Sequence, residues 1–573
     1  STWWALGFGL LAALISVCGV LMLAGSAGAQ LPYEKCDATN KETSSGAVIT
    51  SRDRAVWIAL DFVPSALLVA FTTYLSTDIA SAPFLWVLPL AAFLGTFIIT
   101  FCKKPLVPHG FLLNRQVAVA GLAILATASI TAVTSKLAMV ASLLAFLLVT
   151  LTCHRELYLR RPAVSNLTEF YLLMSLGGVL GGIFSALIAP QIFTTVFEFP
   201  LLLAASLLMR PDILDKPQDR RDWLDALHLV AGVAVVLLTT RILIATGIIE
   251  GQMHLRILVV SVLFAILLYN AKVPSRRMAI MASMLLAIFL LPEGRYEAHA
   301  VRSFFGVHRV IDTSDSMRLL MHGTTAHGVE RLADAAGNPI LKPVPGAYYY
   351  PGAPMTRVPK LLRTARGGGA LNIGVVGVGA GSMACYKQRG DSWTFYEIDQ
   401  AVVDIARDPK LFRYLSTCQP DAHIILGDAR LTLANSNDGA FDYLLIDAFS
   451  SDAIPVHLLT VEALQLYISK LAPNGLLALH LSNNHLDLPP AVLATLAQIG
   501  GLHAVLIDDR PEKPGYDNLP STVMLVGRDK ALLERALDWN GARRPEYTSV
   551  RPWTDDYSDI FTALLRGWFG AGH

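Results

Sequence analysis

The 573-residue chain is 53% hydrophobic and 16% charged, and its mean hydropathy is +0.49. This composition is too apolar for a soluble enzyme of this size, so we expect a large part of the chain to lie in a lipid bilayer. The formal net charge of +1 and the lack of a basic stripe exclude nucleic acid as a partner.

Residues 1–292 contain ten long apolar segments separated by short polar loops. Most of these segments reach the roughly 20 residues that a helix needs to cross a bilayer. The segments at 193–209 and 278–292 are shorter and fit re-entrant or interfacial positions. We therefore predict a helical transmembrane domain over residues 1–292 with about nine spans, and roughly eight to ten fit the segment lengths.

The six cysteines are scattered along the chain and form no CxxC pair. Several lie in or beside apolar segments, so we expect free thiols rather than a disulfide framework or a metal site. The cysteines are Cys18, Cys36, Cys102, Cys153, Cys385 and Cys418.

Charged residues, glycines and short alternating strands replace the apolar segments after residue 292, which predicts a water-facing α/β domain over residues 293–573. Its clearest motif is LNIGVVGVGAGSMA, where an apolar strand runs into Gly377, Gly379 and Gly381. Glycines after a buried parallel strand allow a tight turn and a close backbone approach to a ligand. The turn therefore predicts a nucleoside site in a Rossmann-like sheet.

Acidic residues end the two strands that follow. WTFYEID ends on Glu397 and Asp399, about twenty residues after the glycines, where an acid reaches ribose hydroxyls. AHIILGD ends on Asp428, followed by Ala429. We expect Asp428 to contact an adenine amino group; the alternative is that it caps the helix that begins there.

The fourth strand, FDYLLID, ends on Asp447, and Asp452 follows in a loop closed by Pro455. Ligands bind at the carboxyl ends of strands in open α/β sheets. Two carboxylates there suit a cationic substrate, such as a sulfonium or an amine, and general-base catalysis. The alternative is that both carboxylates cap the loop. The fifth strand ends near Asn483, which we place at the substrate.

This set of motifs resembles the spermidine synthase (polyamine aminopropyltransferase) family, in particular bacterial proteins that fuse such a domain to a multi-span membrane segment. The resemblance implies a small β-rich part over 293–365 and a Rossmann-like catalytic part over 366–573. The strings that carry it are GVGAGSMA, YEID, GDA, LLIDAFSSDAIPVHLLT, HLSN, FFGVHRV, LLMHGTTAHG and LDFVPSALLVAFTTYLSTDIA.

The resemblance also implies an activity. Members of the family move the aminopropyl group of decarboxylated S-adenosylmethionine to a diamine and release methylthioadenosine. Here the glycines would line the nucleoside, Glu397 would bind the ribose, Asp428 would contact the adenine, and Asp447 would lie beside the reacting amine. No metal and no cofactor beyond this sulfonium substrate is expected, and the family is usually oligomeric.

The segment that grips the diamine departs from the family pattern. The family has a tyrosine–histidine–glutamate run, whereas this chain has Tyr348, Tyr349 and Tyr350 without an acid, and His327 stands in place of a glutamine. A buried ammonium group without an acidic partner is costly. A second hypothesis is therefore a lyase, in which the carboxylate of whole S-adenosylmethionine attacks its own γ-carbon to give methylthioadenosine and homoserine lactone.

A third hypothesis, from another class, is a transporter or sensor that binds a nucleoside as a regulator. Loop charges bear on the orientation, because lysines and arginines concentrate in alternate loops that should be cytoplasmic, with Lys136 the main exception. A full span after Arg276 and Arg277 would place the α/β domain outside. Since a nucleoside substrate is cytoplasmic, we predict that 278–292 does not fully cross and that the α/β domain faces the cytoplasm of a bacterial inner membrane. The alternative is that 278–292 crosses and one earlier segment does not.

Overall fold

The computed structural model describes most of the chain beyond residue 48. The described ranges are 49–79, 86–101, 106–128, 135–215, 219–246, 248, 255–270, 272–291, 297–313, 315–323, 325–448, 455–483, 485–546 and 549–569. Of the cysteines, Cys18, Cys36 and Cys102 lie outside these ranges.

The first half of the described chain is helical. Five helices are long and apolar enough to cross a membrane, over Ser51–Thr77, His109–Ala126, Ala138–Leu159, Val164–Ile192 and Arg220–Ala245. Their lengths of 18 to 29 residues fit the roughly 20 residues needed to cross. The main helices are α1 (Ser51–Tyr74), α2 (Val87–Thr100), α3 (His109–Ala126), α4 (Ser135–Leu159), α5 (Leu167–Ile183), α6 (Glu198–Ala205), α7 (Arg220–Ala245), α8 (Leu255–Asn270) and α9 (Pro274–Leu290).

Glycines let α5 lie against α1. A Cβ on Gly177 would lie 2.4 Å from the Ile58 carbonyl oxygen, and one on Gly181 would lie 2.5 Å from the Phe62 oxygen. Small residues at such a contact let two backbones approach closely, as they do between membrane helices.

Most arginines of the described helical part gather at one end of the bundle, which we call the basic end. Salt bridges join Arg54 to Glu169, at the starts of α1 and α5, and Arg277 at the start of α9 to Asp212. Arg160, after α4, pairs with Asp215 at 2.7 Å. Because these contacts join successive loops, the loop charges seen in the sequence are neighbours in space.

Two sheets form the second half. Strands β1 (Glu297–Ser303), β2 (Gly306–Asp312), β3 (Met317–His322) and β4 (Thr325–Arg331) make an antiparallel sheet, the small sheet. The large sheet has the order β12-β10-β11-β9-β8-β5-β6-β7 and is mixed, with β5 to β9 parallel and β10 to β12 antiparallel. Its strands are β5 (Asn372–Val376), β6 (Ser392–Glu397), β7 (His423–Leu426), β8 (Phe441–Ile446), β9 (Leu471–His480), β10 (His503–Asp509), β11 (Ser521–Gly527) and β12 (Ala542–Arg543).

α-Helices separate most of the parallel strands, as expected for crossover connections, but only a 3-10 turn over Ser382–Tyr386 lies between β5 and β6. Most of their apolar faces pack on the large sheet. The principal helices are α10 (Pro354–Arg366), α11 (Gln400–Arg407), α12 (Tyr414–Cys418), α13 (Ala429–Ala434), α14 (Val461–Lys470), α15 (Pro489–Ile499), α16 (Lys530–Glu534) and α17 (Ile560–Phe569). The predicted fold class, a helical membrane domain plus a Rossmann-like α/β domain preceded by a small β-rich part, is confirmed.

The small sheet lies against the glycine turn of the large one. A Cβ on Gly328 in β4 would lie 2.3 Å from the Cβ of Ala380, so only glycine permits this approach. Arg413, just before α12, donates to the fully buried Glu330 of β4. These contacts place β2, β3 and β4 over the carboxyl edge of the parallel strands.

The prediction of free thiols is wrong for two cysteines. Cys385 and Cys418 form a disulfide, with Cα atoms 4.9 Å apart and 33 residues between them in sequence. Cys385 follows the glycine turn and Cys418 ends α12, so only the packing of those two segments brings them together. Cys153 in α4 is a buried free thiol.

Candidate active site

A cavity of about 250 Å³ lies between the small sheet and the carboxyl edge of β5, β6, β7 and β8. The chain leaves β5 toward β6 on one side of this edge and returns to β8 on the other, and doubly wound folds bind ligands at such a point. Its polar lining residues are His308, His322, His327, Tyr348, Tyr349, Tyr396, Glu397, Asp399, Asp428, Asp447 and His457.

The glycine turn forms the floor of the cavity through Gly377 and Gly379. Gly377 has φ +94°, and a Cβ there would lie 2.1 Å from the carbonyl oxygen of Asp447. A Cβ on Gly379 would lie 2.8 Å from the His327 oxygen. The structure thus gives these glycines a role within the protein: they let β8 and β4 approach the turn. Gly381 lies outside the cavity lining and packs on Leu415.

Glu397 lies in the cavity at the end of β6, and backbone groups hold its carboxylate. Its Oε2 accepts from the Val378 N–H at 2.9 Å, and its Oε1 accepts from the N–H groups of Ile398 and Asp399. Burial raises the pKa of the Glu397 carboxyl, and these three hydrogen bonds oppose that rise. The side chain is therefore fixed in one orientation at the end of β6.

Asp399 lines the cavity and joins it to the small sheet. Its Oδ1 caps α11 by accepting from the Ala401 N–H, and its Oδ2 accepts from Ser303 and lies 2.8 Å from His308 Nε2. Burial raises the pKa of this carboxyl, but the hydrogen bonds from His308 and Ser303 outweigh burial and lower it. Asp399 therefore acts mainly as a clamp between the two sheets.

Asp428 and Ala429 also line the cavity, at the end of β7. Asp428 Oδ1 accepts from the Arg430 and Leu431 N–H groups, so it caps α13, and its Oδ2 lies 3.1 Å from His457 Nε2. Both functions considered for Asp428 are therefore compatible, since one oxygen caps the helix while the side chain still lines the cavity.

Asp447 lies at the switch point, and two side chains hold its carboxylate. His480 Nδ1, from the end of β9, donates to its Oδ1 at 2.6 Å, and the Tyr349 hydroxyl donates to its Oδ2. His480 Nε2 lies 2.7 Å from Ser482 Oγ, which itself accepts from the Thr522 N–H. A hydrogen-bonded chain therefore supports the carboxylate from two sides.

These partners decide the charge of Asp447, which is 9% exposed. Burial favours its neutral form, but the attraction of His480 and the hydrogen bonds from His480 and Tyr349 outweigh burial and hold the pKa of the carboxyl below its usual value. Burial and Asp447 together raise the pKa of Tyr348 and Tyr349 well above their ordinary value. The site therefore presents a fixed negative charge surrounded by neutral phenols.

Imidazoles line the roof of the cavity, which the small sheet supplies. The His308 and His322 rings lie 4.6 Å apart, and the His322 and His327 rings 5.8 Å apart. Burial, with the other two histidines, lowers the pKa of His322 to about 3. Within the described ranges, no group of three or more His, Cys, Asp or Glu side chains is placed to hold a metal ion.

Besides Gly381, three residues predicted for the site are placed differently or lie outside the described ranges. Tyr350 points away from the cavity and donates to Asp509 at 2.8 Å. Asn483 does not line the cavity, because its Oδ1 caps the following turn by accepting from the His485 and Leu486 N–H groups. Asp452 lies outside the described residues.

Tyr349 and Tyr350 give a matched pair of variants. We expect Tyr349→Phe to lower kcat/KM about 10- to 100-fold, because a hydrogen bond to a charged group contributes roughly 1.5–3 kcal/mol. Tyr350→Phe removes the same hydroxyl outside the cavity and should leave kcat/KM unchanged. Steady-state kinetics of both variants measure the difference. Equal losses of kcat/KM would show that the Tyr349 hydroxyl has no special role at the cavity.

Sequence reasoning missed four histidines of the site, His308, His322, His457 and His480. His480 was visible as the end of the fifth strand, but only the pairing of β8 with β9 shows that it faces Asp447. His308 and His457 gave no signal, since their partners Asp399 and Asp428 lie 91 and 29 residues away. Of these missed histidines, only His480 lies at the end of a parallel strand, so only His480 could have been found by examining polar residues at strand ends.

No family model matches the chain, and the search of curated proteins gave no match. Among solved structures, the α/β part is similar to a probable spermidine synthase from Corynebacterium glutamicum, at 18% identity and a TM-score of 0.34 over 46% of this chain and 98% of that one. A spermidine synthase from Thermotoga maritima is 12% identical, with a TM-score of 0.32 over 48% of this chain and 88% of that one. Human methyltransferase-like protein 13 is 21% identical, with a TM-score of 0.23 over 35% of this chain and 91% of that one. Identities this low describe the fold and say nothing of the substrate.

Proposed function

We propose that the chain is an enzyme that binds an adenosyl sulfonium and releases methylthioadenosine by transferring an aminopropyl group from decarboxylated S-adenosylmethionine to an amine. The observation that carries the proposal is the ionised Asp447, held by His480 and Tyr349 at the switch point of a nucleoside-type sheet. A fixed carboxylate there attracts a sulfonium or an amine and stabilises positive charge that develops during the reaction.

The nucleoside would lie along the edge formed by the glycine turn, β6 and β7. In this placement Glu397 faces the ribose and Asp428 faces the adenine, while the backbone of Gly377 and Gly379 passes beneath. Glu397 supports such a role because backbone groups already fix its orientation, so binding costs it little side-chain freedom.

In the transfer, the amine nitrogen forms a bond to the aminopropyl carbon attached to sulfur, and the carbon–sulfur bond breaks. The bonding electrons pass to sulfur, which becomes the neutral thioether of methylthioadenosine. The nitrogen becomes cationic as its bond forms and then loses a proton. Asp447 stabilises this charge, and Tyr349 and His480 keep its carboxylate oriented.

Lysis of whole S-adenosylmethionine is a second candidate, favoured by the roof of the cavity. Glu397, Asp399 and Asp428 each accept hydrogen bonds from protein groups, and the tyrosine run beside Asp447 supplies no further carboxylate for the second ammonium group of a diamine. Imidazole N–H and phenol O–H groups can instead donate to the substrate's carboxylate. In lysis a carboxylate oxygen attacks the γ-carbon, the carbon–sulfur bond breaks, and methylthioadenosine and homoserine lactone form.

One set of incubations separates these candidates. The purified chain is mixed with S-adenosylmethionine alone, or with decarboxylated S-adenosylmethionine and putrescine, and the products are identified by mass spectrometry. We expect methylthioadenosine and an aminopropylated amine in the second mixture only. Methylthioadenosine from the first mixture would overturn transfer and support lysis. Tight nucleoside binding without turnover in either mixture would overturn both and indicate a sensor or transporter.

A further inference from the structure

The basic end of the bundle lies opposite the α/β domain. Helices α1, α3 and α9 all begin at the basic end. Their far ends, marked by Tyr74, Thr127 and Leu291, line one cavity of about 610 Å³ together with His299 and Arg309 of the small sheet. The α/β domain is therefore attached to the end of the bundle that is remote from the arginine-rich loops.

The charge difference between the two ends is large. At the far end the described helices carry three basic residues, Lys136, Arg241 and Arg256. At the basic end, in the described loops and flanking helical turns, the basic residues are Arg52, Arg54, Arg115, Arg155, Arg160, Arg161, Arg210, Arg220, Arg221, Lys272, Arg276 and Arg277. Lysines and arginines beside membrane spans mark the cytoplasmic side.

Helix α9 connects the two ends. It has 17 residues, which at 1.5 Å per residue is about 25 Å and close to the roughly 30 Å of a bilayer core. Arg277 in its first turn pairs with Asp212 at the basic end, and Leu291 after its last turn is buried at the junction with the small sheet. Helix α9 therefore runs from the basic end of the bundle to the junction with the small sheet.

The disulfide between Cys385 and Cys418 is a second, independent observation. It lies in the α/β domain, beside the glycine turn. Disulfides form and persist outside the cytoplasm and are rare within it, where reducing systems keep thiols free. The cysteine chemistry and the loop charges therefore favour the same side of the membrane.

We infer that the α/β domain and its cavity face the extracytoplasmic side. This assignment replaces the cytoplasmic placement expected from the substrate. A consequence for the reaction sequence rests on the proposed function. An adenosyl sulfonium made in the cytoplasm would reach the cavity only after a transport reaction carries it across the membrane. Methylthioadenosine would then be released on the extracytoplasmic side.

Single introduced cysteines test the orientation without any need for turnover. Lys513→Cys lies on the exposed surface of the α/β domain, and Val164→Cys, which is 85% exposed in the wild type, lies at the basic end. Spheroplasts that express the full chain are treated with a membrane-impermeant maleimide. We expect labelling of Lys513→Cys alone, and labelling of both after lysis. Labelling of Val164→Cys alone in intact spheroplasts would overturn the inference.

The thiols provide a second arm. Wild type and the Cys385→Ser/Cys418→Ser variant are taken from cells quenched with acid and treated with a maleimide-linked polymer, with and without prior reduction. We expect the wild type to show two more reactive thiols than the variant, those of Cys385 and Cys418, and to show them only after reduction. Reaction of both without reduction would show a reducing compartment and overturn the inference. Neither arm depends on catalysis, so a failed turnover assay leaves the orientation result intact.

Discussion

Asp447→Asn should lower kcat by about 10³-fold or more while it changes nucleoside affinity little. The amide keeps the size of the side chain and can still accept one hydrogen bond, but it removes the negative charge that Tyr349 and His480 surround. Loss of one positioned acid or base typically costs 10²- to 10⁴-fold, and loss of electrostatic stabilisation adds to this. Single-turnover rates, with calorimetric titration of methylthioadenosine, measure the two effects separately.

Asp442→Asn is the matched control, since Asp442 lies on the same strand at the end remote from the cavity. It pairs with Arg366 at 2.6 Å and accepts from the Asn372 N–H, and neither partner lines the cavity. We expect its kcat to equal that of the wild type. If Asp447→Asn kept full activity, or lost nucleoside binding together with turnover, the placement of the reacting groups beside Asp447 would be wrong.

Arg302→Met should weaken the interface between the helical part and the small sheet, lowering the free energy of unfolding by about 3–5 kcal/mol. Arg302 of β1 forms two hydrogen bonds with Glu198 of α6, at 2.9 and 3.0 Å, and a third with the Thr195 oxygen. The Glu198 side chain is fully buried and that of Arg302 is 6% exposed. The variant leaves a buried carboxylate without its partner. Thermal unfolding in detergent, followed by size-exclusion chromatography, measures the loss.

Two further variants make this result specific. In Arg302→Met/Glu198→Met both charges are absent, and we expect most of the stability to return, because apolar replacement of a buried pair is often neutral. Arg331→Met breaks an exposed pair with Asp517 and should change stability by less than about 1 kcal/mol. Equal effects of Arg302→Met and Arg331→Met would mean that the domain junction does not depend on this ion pair.

The Arg302–Glu198 pair also connects the membrane to the cavity. The neighbouring residue Ser303 donates to Asp399, and Asp399 holds His308 of the roof. A change at α6 can therefore reach the roof of the cavity through two adjacent residues of β1.

The sequence by itself determined the two classes of domain, the glycine turn and the acids around it. Long apolar runs have few alternatives to membrane helices, and parallel strands bring their carboxyl ends to one edge whatever their order. For that reason Glu397, Asp399, Asp428 and Asp447 could be placed at one cavity from their positions at strand ends alone.

The identity of the groups that face one another across that cavity depends on how distant elements dock. Tyr349 and Tyr350 are consecutive and chemically identical, yet one donates to Asp447 and the other to Asp509. Cys385 and Cys418 meet only because α12 packs beside the glycine turn. Such contacts depend on the docking of elements that are distant in sequence, and neither hydrophobic period nor motif spacing encodes that docking. The path of α9 likewise places the α/β domain at the far end of the bundle, and motif spacing does not encode that path.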